Sequence, residues 1–214
     1  MTTSKERQIN QLKKELDSAI LIDVSLLADE IRSIGFKCKR CAQCCMEEYG
    51  DNTVSIFPSE IGRICQKTEL ELKDIVIPTP SDDRDSKGNI HTFEWVLRKN
   101  DNCIFLTGGF CKIYESRPHI CKTYPFYLLE RHLMVSDCSG IGADISNTES
   151  LELAKLLKER YIIEIKEAIA LLDKFNGFNP GGSGNVCVHD SEGEHWISVG
   201  EKELRKQYNI YHCI

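Results

Sequence analysis

Residues 36–45 read Phe36-Lys37-Cys38-Lys39-Arg40-Cys41-Ala42-Gln43-Cys44-Cys45, and the fold of the surrounding segment is expected to form around them. Two residues between ligands let a backbone loop around an ion, so the sulfurs of Cys38, Cys41 and Cys44 can converge on one metal. Cys45 follows Cys44 directly and would point in another direction. The loop therefore predicts metal binding. Whether its cysteines are ligands of two sites, or of one site with a neighbouring thiol, stays open.

The same spacing resembles the C-x₂-C-x₂-C run of bacterial ferredoxins but lacks their C-x₃-C-P continuation, so a further ligand must come from elsewhere. Gly108-Gly109 would let the chain reverse and bring two later cysteines to one site. The later group consists of Cys103, Cys111, Cys121 and Cys138. Together the eight cysteines suffice for two four-ligand sites, or for one site with spares.

The chain has 11 cysteines, and a disulfide scaffold is disfavoured because this number is odd and the spacings are short. Clustered thiolates around a metal carry net negative charge, which nearby cations would compensate. Basic residues flank both cysteine groups, although a solvated charged face is the alternative interpretation. These residues are Lys37, Lys39, Arg40, Lys112, Arg117 and Lys122.

The overall composition restricts the class of protein. A net charge of −6 and a pI near 5.6 argue against nucleic-acid binding, which usually requires a basic surface. The first residues contain no apolar signal-peptide core, and no apolar run approaches the roughly 18 residues of a membrane span. The expectation is a soluble, cytoplasmic protein without nucleic-acid or membrane partners.

The hydrophobic pattern divides the chain into four segments and predicts an α+β fold. Residues 1–34 are predicted as a helical segment, and residues 35–145 as a small, loop-rich cysteine-cluster domain with short strands. Residues 146–176 carry one long amphipathic helix, expected over Glu149–Lys174 and packed on the cluster core or on the N-terminal helices; a partner-binding helix is the alternative. Residues 177–214 form a tail of uncertain structure.

Shorter elements follow from local signals. A break near Asp23–Ser25, with Ser25 as N-cap, would divide the first segment, and Gly35 would end it. Gly108-Gly109 and the polar residues 81–89 predict reversals of the chain. The remaining predictions are strands at Val54–Phe57, His91–Arg98 and His195–Val199, a helix starting at Pro58, a hairpin pairing Phe126–Leu129 with Leu133–Val135, and a helix at Glu201–Tyr208.

Several longer motifs occur in order: Phe36-Lys37-Cys38-x-x-Cys41-x-x-Cys44-Cys45, Cys103-x-Phe105-Leu106, Cys111-x-Ile113-Tyr114-Glu115-x-Arg117-Pro118-x-x-Cys121-x-x-Tyr124-Pro125-Phe126 and Cys138-x-Gly140-x-Gly142. With these motifs, over about residues 30–142, the chain resembles the CxxCxxCC cysteine-cluster family, a zinc- or iron-chelating domain family that includes flagellin lysine N-methylases. Ser139 departs from the family, which often has proline after this cysteine, and little consequence is expected.

The resemblance implies a ligand set and supporting residues. Arg117 would bond carbonyls or a carboxylate, with Glu115 and Tyr124 beside it; a plain surface ion pair between Arg117 and Glu115 is the alternative. An iron–sulfur cluster, [4Fe–4S] in particular, is favoured over Zn²⁺ because tetrathiolate zinc sites more often use paired C-x₂-C units. The implied ligands are Cys38, Cys41, Cys44, Cys45, Cys103, Cys111, Cys121 and Cys138.

The remaining cysteines and histidines are expected to serve other purposes. Cys65 lies on the apolar side of a short predicted helix, and its side chain is predicted to be buried as a small hydrophobic group. The histidines His91, His119 and His132 are predicted to be polar surface residues, with His119 the best ligand candidate among them. A metal site in the tail is a weaker alternative, built from Cys187, His189, His195, His212 and Cys213.

The function predicted is metal binding with no assigned activity, the partners being the metal ion or cluster and a protein substrate or redox partner. The family resemblance adds the alternative of a protein-lysine N-methyltransferase using S-adenosylmethionine, although no glycine-rich Rossmann turn is present to hold that donor. Its catalytic residues are unknown; Tyr124, Glu115 or Asp137 would be candidates for the base. Electron transfer and structural zinc are further alternatives.

Overall fold

The computed structural model describes residues 3–199, and it confirms the α+β class. Long helices occupy residues 4–34 and 147–174, whereas residues 35–146 contain short helices, short strands and single turns of 3₁₀-helix, and two strands follow the last helix. The α-helices of the described residues are Ser4–Ile20 (α1), Val24–Ile34 (α2), Pro58–Thr68 (α3), Leu72–Ile75 (α4), His119–Thr123 (α5) and Asn147–Lys174 (α6).

The strands are short and form five small sheets in the described range. One three-stranded sheet has the order β1-β4-β2 and is antiparallel, and the other has the order β12-β11-β3. In the second sheet β11 pairs antiparallel with β12 and parallel with β3. The strands are Ser55–Ile56 (β1), Val76–Pro78 (β2), Ile90–Thr92 (β3), Trp95–Leu97 (β4), Lys99–Asn100 (β5), Asn102–Cys103 (β6), Leu106–Thr107 (β7), Phe110–Cys111 (β8), Phe126–Leu129 (β9), His132–Val135 (β10), Val186–Asp190 (β11) and Gly193–Ile197 (β12).

The long helix packs on the N-terminal helices and on β9, as the amphipathic stripe predicts. Ala154 and Leu157 are both 0% exposed, and they pack in one core with Ile31 of α2 and Phe126 of β9. Ser146 caps α6 in a capping box with Glu149. No helix among residues 3–199 has the length and apolarity needed to cross a membrane.

The N-terminal segment breaks where the sequence indicates, but a different residue caps the second helix. Asp23, rather than Ser25, is the N-cap of α2, because its carboxylate accepts hydrogen bonds from the backbone N–H groups of Ser25 and Leu26 at 2.8 and 3.2 Å. Gly35 ends α2 as predicted, with φ of 75°.

The cysteine-rich segment has an apolar core of its own. Buried side chains from α3, α4, β1, β2 and β4 meet there with Phe105 and Ile113. Val188 of β11 completes this core, so a strand that follows the long helix in sequence is packed into the middle segment. Burial of apolar surface as well as any metal therefore stabilises the segment.

Two strand predictions need correction. The single strand predicted over His91–Arg98 is wrong: β3 and β4 are separate and belong to different sheets. The strand predicted at His195–Val199 begins earlier, as β12, and its partner β11 was not predicted. The hairpin of β9 and β10 is confirmed, with Glu130 and Arg131 in the turn at φ of 48° and 69°. The helix predicted at Glu201–Tyr208 lies outside the described residues.

Candidate metal centre

The first cysteine loop is held against the loop that contains Cys138. Lys37 N–H donates to the Gly140 carbonyl at 3.0 Å, and Gly142 N–H donates to the Gly35 carbonyl at 3.0 Å. A Cβ atom on Gly140 would lie 2.3 Å from the Lys37 carbonyl oxygen, so only glycine permits this close approach. Because the two loops are fixed to each other, cysteines that are about a hundred residues apart in sequence become neighbours.

Left-handed backbone turns the first loop back on itself. Arg40 and Ala42 have φ of 53° and 59°, and a single turn of 3₁₀-helix covers Gln43–Cys45. Non-glycine residues seldom adopt such conformations, and they tend to be retained at sites of function. The turns place Cys38, Cys41 and Cys44 at the surface and leave Cys45 half-buried.

The second group of cysteines comes from two hairpins and a short helix. Cys103 lies in β6 and Cys111 in β8, and the chain reverses at Gly108 and Gly109 with φ of 59° and 81°, as predicted. Cys121 lies in α5.

Helix α5 is fixed by a buried carboxylate on α3. The Glu60 Oε1 atom accepts the His119 backbone N–H and contacts the His119 ring Nδ1, both at 2.7 Å. Glu60 is 3% exposed. Burial by itself would raise the pKa of this carboxyl group, but the hydrogen bonds from His119 and Phe57 bring it below its ordinary value.

Six of the eight predicted ligands line one cavity of about 420 Å³. The charged side chains of the wall are those of Arg40, Arg117 and Arg160 and of Asp51 and Glu115, so positive charge is in slight excess there although the protein is acidic. Tyr114 and Tyr124 supply aromatic surface. The cysteines that line it are Cys38, Cys44, Cys45, Cys103, Cys111 and Cys121.

The other two predicted ligands do not line this cavity. The Cys41 sulfur lies 3.7 Å from the Ser139 hydroxyl, and the Cys138 sulfur accepts the Gly140 backbone N–H at 3.5 Å. Partial burial raises the pKa of Cys138, and so do the nearby thiols of Cys41, Cys38 and Cys44. These two cysteines therefore lie beside the first loop, close to the cavity but outside its lining.

The cysteine sulfurs are spread out rather than gathered at a point. Within residues 3–199, no three of the eight have sulfur atoms that all lie within 4.8 Å of one another. Among the His, Cys, Asp and Glu side chains that the structure describes, the group that meets this distance consists of His91, Cys187 and His189.

Hydrogen bonds among neighbouring thiols shift their pKa values in opposite directions. Hydrogen bonding to Cys45 lowers the pKa of Cys44 to about 7, helped by the charge of Arg117, and it lowers the pKa of Cys103 to about 7 as well. Hydrogen bonds to Cys103 and Cys44 raise the pKa of Cys45, and burial raises that of Cys121. Two thiols that ionise readily next to thiols that do not are suited to binding a metal cation, which favours thiolates.

Arg117 contacts backbone and an aromatic ring. Its Nε donates to the Tyr114 carbonyl at 2.6 Å, which is the carbonyl contact expected from the sequence. Its guanidinium lies 3.5 Å from the centroid of the Tyr114 ring, and that of Arg40 lies 4.5 Å from the same ring. The alternative of an ion pair with Glu115 is not found in the part of the chain that the structure describes. Stacking on Tyr114 fixes both cations at the cavity.

Tyr124 is bound in a way that disfavours it as a base. Its hydroxyl donates to the Asp137 carbonyl, and burial together with the nearby thiols and Asp137 raises its pKa. A phenol that ionises less readily than usual and already donates its proton is a poor proton acceptor.

Two of the three histidine predictions are wrong. His91 is 0% and His119 is 8% exposed, so both are buried, whereas His132 is exposed as predicted. Cys65 packs half-buried against the apolar core of the sheets. Of the proposed tail group, His212 and Cys213 lie outside the described residues, and Cys187 and His189 approach His91. The alternation Cys187-x-His189 could have indicated a strand with both side chains on one face, but nothing local links it to His91.

Residues 37–139 match the model of the CxxCxxCC family, whose description is "Putative zinc- or iron-chelating domain". Residues 37–139, just under half of the chain, are similar to this family, and this stretch is called the CxxCxxCC domain below. No curated protein and no solved structure matches the chain. All eight predicted ligands lie inside the CxxCxxCC domain, and so does His91, whereas Cys187 and His189 lie beyond it.

Proposed function

We propose that the CxxCxxCC domain is a metal centre in which the cysteine-lined cavity holds an iron–sulfur cluster, with zinc as the alternative occupant. The observation that carries this proposal is the convergence of six cysteines and three arginines on one cavity. The cationic wall would offset the net negative charge of a thiolate-bound centre. The candidate ligands are those six cysteines, with Cys41 and Cys138 beside them.

The spacing of the sulfurs favours a cluster over one zinc ion. Four thiolates at about 2.3 Å from one tetrahedral zinc would stand only about 3.8 Å apart. No trio of the described cysteines is even within 4.8 Å. A cluster spreads its thiolates further, because each binds a different iron. The cavity is lined by four cysteines from separate elements, as the four ligands of one cluster would be: Cys44, Cys103, Cys111 and Cys121.

One side of this centre would face solvent. Cys38, Cys41 and Cys44 are exposed, whereas Cys103, Cys111 and Cys121 are half-buried. A cluster held by both groups would therefore present an edge at the surface. Exchange of electrons with a protein partner, or binding of a substrate at one iron, both require that access.

Lysine methylation with S-adenosylmethionine is the second candidate. It comes from the family resemblance, and the favourable observation is a cavity whose volume lies within the range of small-molecule sites. Glu115 lines the cavity and is the better candidate for a base, since Tyr124 is bound as a donor. A Glu115→Gln variant that kept its metal but lost methyl transfer would support this candidate, and a wild-type protein without methyl transfer to flagellin would remove it.

Metal and sulfide analysis of anaerobically purified protein, with its visible spectrum, tests the main proposal. The expected result is a brown protein with roughly four iron and four acid-labile sulfide per cluster. A colourless protein with stoichiometric zinc would show that zinc and not a cluster is bound, and it would rule out electron transfer by this centre. Protein that holds neither metal at any cysteine would overturn the proposal.

Serine variants identify the ligands. Cys44→Ser, Cys103→Ser and Cys121→Ser should each lose iron and sulfide, because a hydroxyl is a much poorer ligand for soft metals than a thiolate. Cys65→Ser is the matched control: this residue is also half-buried in the domain but does not line the cavity. Equal loss from the control would show that the serine changes act through folding and not through ligation.

A further inference from the structure

A second group of metal-ligating side chains lies on one sheet, away from the cysteine cavity. In the parallel pair of β3 and β11, His91 stands opposite Cys187, and His189 follows two residues later. Residues directly opposite, and residues two apart along a strand, share a face. His91, Cys187 and His189 therefore project from the same face of the sheet, and none of them lines the cysteine cavity.

Their ligand atoms have already converged. The His91 Nδ1 atom lies 2.7 Å from the His189 Nε2 atom, and the Cys187 sulfur completes a group whose atoms all lie within 4.8 Å of one another. A zinc ion bonded at about 2.0–2.1 Å would hold two imidazole nitrogens about 3.3 Å apart. Moving the two nitrogen atoms apart by about half an ångström would therefore make room for the ion.

A carboxylate supports the first histidine from behind. The second ring nitrogen of His91, Nε2, faces the Asp85 Oδ2 atom at 3.4 Å, and both side chains are closed to solvent. Asp85 is itself held by the Asn89 side chain at 2.7 Å and by the backbone N–H groups of Lys87 and Asn89. Metal-bound histidines almost always donate their other N–H to such a partner, which fixes the tautomer.

The surroundings are apolar, as for a closed site. His91, Cys187 and His189 are 0%, 0% and 2% exposed. Aromatic rings surround the two imidazoles with centroid distances of 4.6–6.0 Å, and they belong to Phe93, Phe175, Phe178 and Trp196. A shell of this kind excludes water and strengthens the attraction between a cation and its ligands.

We propose that His91, Cys187 and His189 form a second metal site for one borderline-soft divalent ion, with zinc as the ion that their ligand atoms suit best. One thiolate and two imidazoles match zinc, and copper is the other ion that such a set accepts. On binding, the Cys187 thiol gives its proton to solvent and the sulfur bonds the ion. The fourth position would hold a single water molecule enclosed in this buried site.

This second site would fasten the chain beyond the CxxCxxCC domain onto that domain. His91 belongs to the domain, and the other two ligands lie on a strand that follows α6. The alternative account is a hydrogen-bond chain from His189 through His91 to Asp85, which explains both histidine contacts but gives no role to the buried Cys187 thiol beside them.

Metal analysis of single variants tests the second site separately from the cavity. His91→Asn and Cys187→Ser should each hold one zinc fewer per chain than the wild type while their iron and sulfide stay the same. Cys103→Ser and Cys121→Ser should show the reverse. His132→Asn changes an exposed histidine and is the control. Asp85→Asn should weaken zinc binding about 10- to 100-fold. Unchanged zinc content in folded His91→Asn and Cys187→Ser would overturn the proposal.

X-ray absorption at the zinc edge of wild-type protein needs no variant and so avoids any loss of folding. Zinc bound to two imidazoles and one sulfur is the expected result, and imidazole scattering cannot arise from the all-cysteine cavity. Zinc without imidazole, or no zinc after incubation with the ion, would contradict the site and leave the histidine pair as a hydrogen bond. The iron and sulfide content reports on the cavity independently of this measurement, so failure of the histidine site leaves the cluster proposal to be decided by that content.

Discussion

Gly140 lies where the loop of Cys138 crosses the loop that starts the first cysteine group. Because a Cβ atom would stand 2.3 Å from the Lys37 carbonyl oxygen, Gly140→Ala must push the two loops apart. Overpacking of this kind usually costs about 1–3 kcal/mol. The expected result is a lower midpoint of urea unfolding together with reduced metal content.

Gly62 offers the matched control for that change. It lies in α3 on the exposed side, and a Cβ atom there would meet no other atom within 4 Å. Gly62→Ala should raise the free energy of unfolding by about 0.5–1 kcal/mol, because alanine loses less backbone entropy in a helix. Similar unfolding midpoints for the two variants would contradict the close approach assigned to Gly140.

Glu60 gives the folded state a pH dependence. Its pKa is lowered in the fold by the hydrogen bonds from His119, so the ionised carboxylate stabilises the protein. That contribution is complete above the ordinary glutamate pKa of about 4.3 and is lost as the pH falls through the lower, folded value. Glu60→Gln should flatten the decline of stability below about pH 4.3, measured by urea unfolding at a series of pH values.

The same residue tests how α5 is positioned. Glu60→Ala should cost about 1–3 kcal/mol, since it leaves the buried His119 N–H without its acceptor. Glu60→Gln keeps an acceptor and should cost less. Equal losses from the two changes would mean that the hydrogen bond to α5 contributes little.

At the scale of elements, α6 joins the N-terminal helices to the hairpin that borders the cysteine cavity. Leu157 is 0% exposed in the core that α6 shares with α2 and β9. Leu157→Ala should lower the free energy of unfolding by roughly 2–5 kcal/mol, as expected for a leucine truncated in a packed core. Lys155→Ala, an exposed change on the same helix, should stay within about 0.5 kcal/mol. A thermal or urea unfolding series on the two variants makes the comparison.

The helices α1, α2 and α6 could be predicted because their signals are local. Asp23, Gly35 and Ser146 mark helix ends through hydrogen bonds and backbone angles within a few residues. The strand β11 could not be predicted in this way, since it takes its place from pairing with β3 about a hundred residues earlier. The error over His91–Arg98 has the same origin: two strands that share one apolar run turn into different sheets.

The cavity was partly predictable for a related reason. Spacing identified Cys38, Cys41 and Cys44 as a group, and Gly108-Gly109 indicated the reversal that brings in Cys111. Which thiols line the cavity depends on how loops cross, as at Gly140, and sequence spacing carries no record of that. The approach of His91 to Cys187 is likewise a consequence of sheet register and became visible only in three dimensions.

At the scale of the whole molecule, the two larger apolar cores of the described residues belong to different parts of the chain. The core of α2, α6 and β9 contains none of the candidate ligands, whereas the sheet core packs against Cys103 and Cys111. Removal of the metal should therefore loosen the cysteine segment more than the helices. Local opening of this kind is set by local stability and is read out by amide hydrogen exchange.

Hydrogen exchange with and without a chelator measures this difference directly. Exchange should speed up in residues 37–50 and 101–123 once the metal is gone, because their backbone is organised in short hairpins, 3₁₀ turns and the five-residue helix α5 around the candidate ligands. Exchange in α2 and in the middle of α6 should change little, since Ile31 and Leu157 are closed off in a core without ligands. Uniform acceleration along the chain would contradict two separable cores and would mean that the metal stabilises the entire fold. Acceleration confined to residues 186–190, with the cysteine segment unchanged, would instead place the stabilising ion at His91, Cys187 and His189.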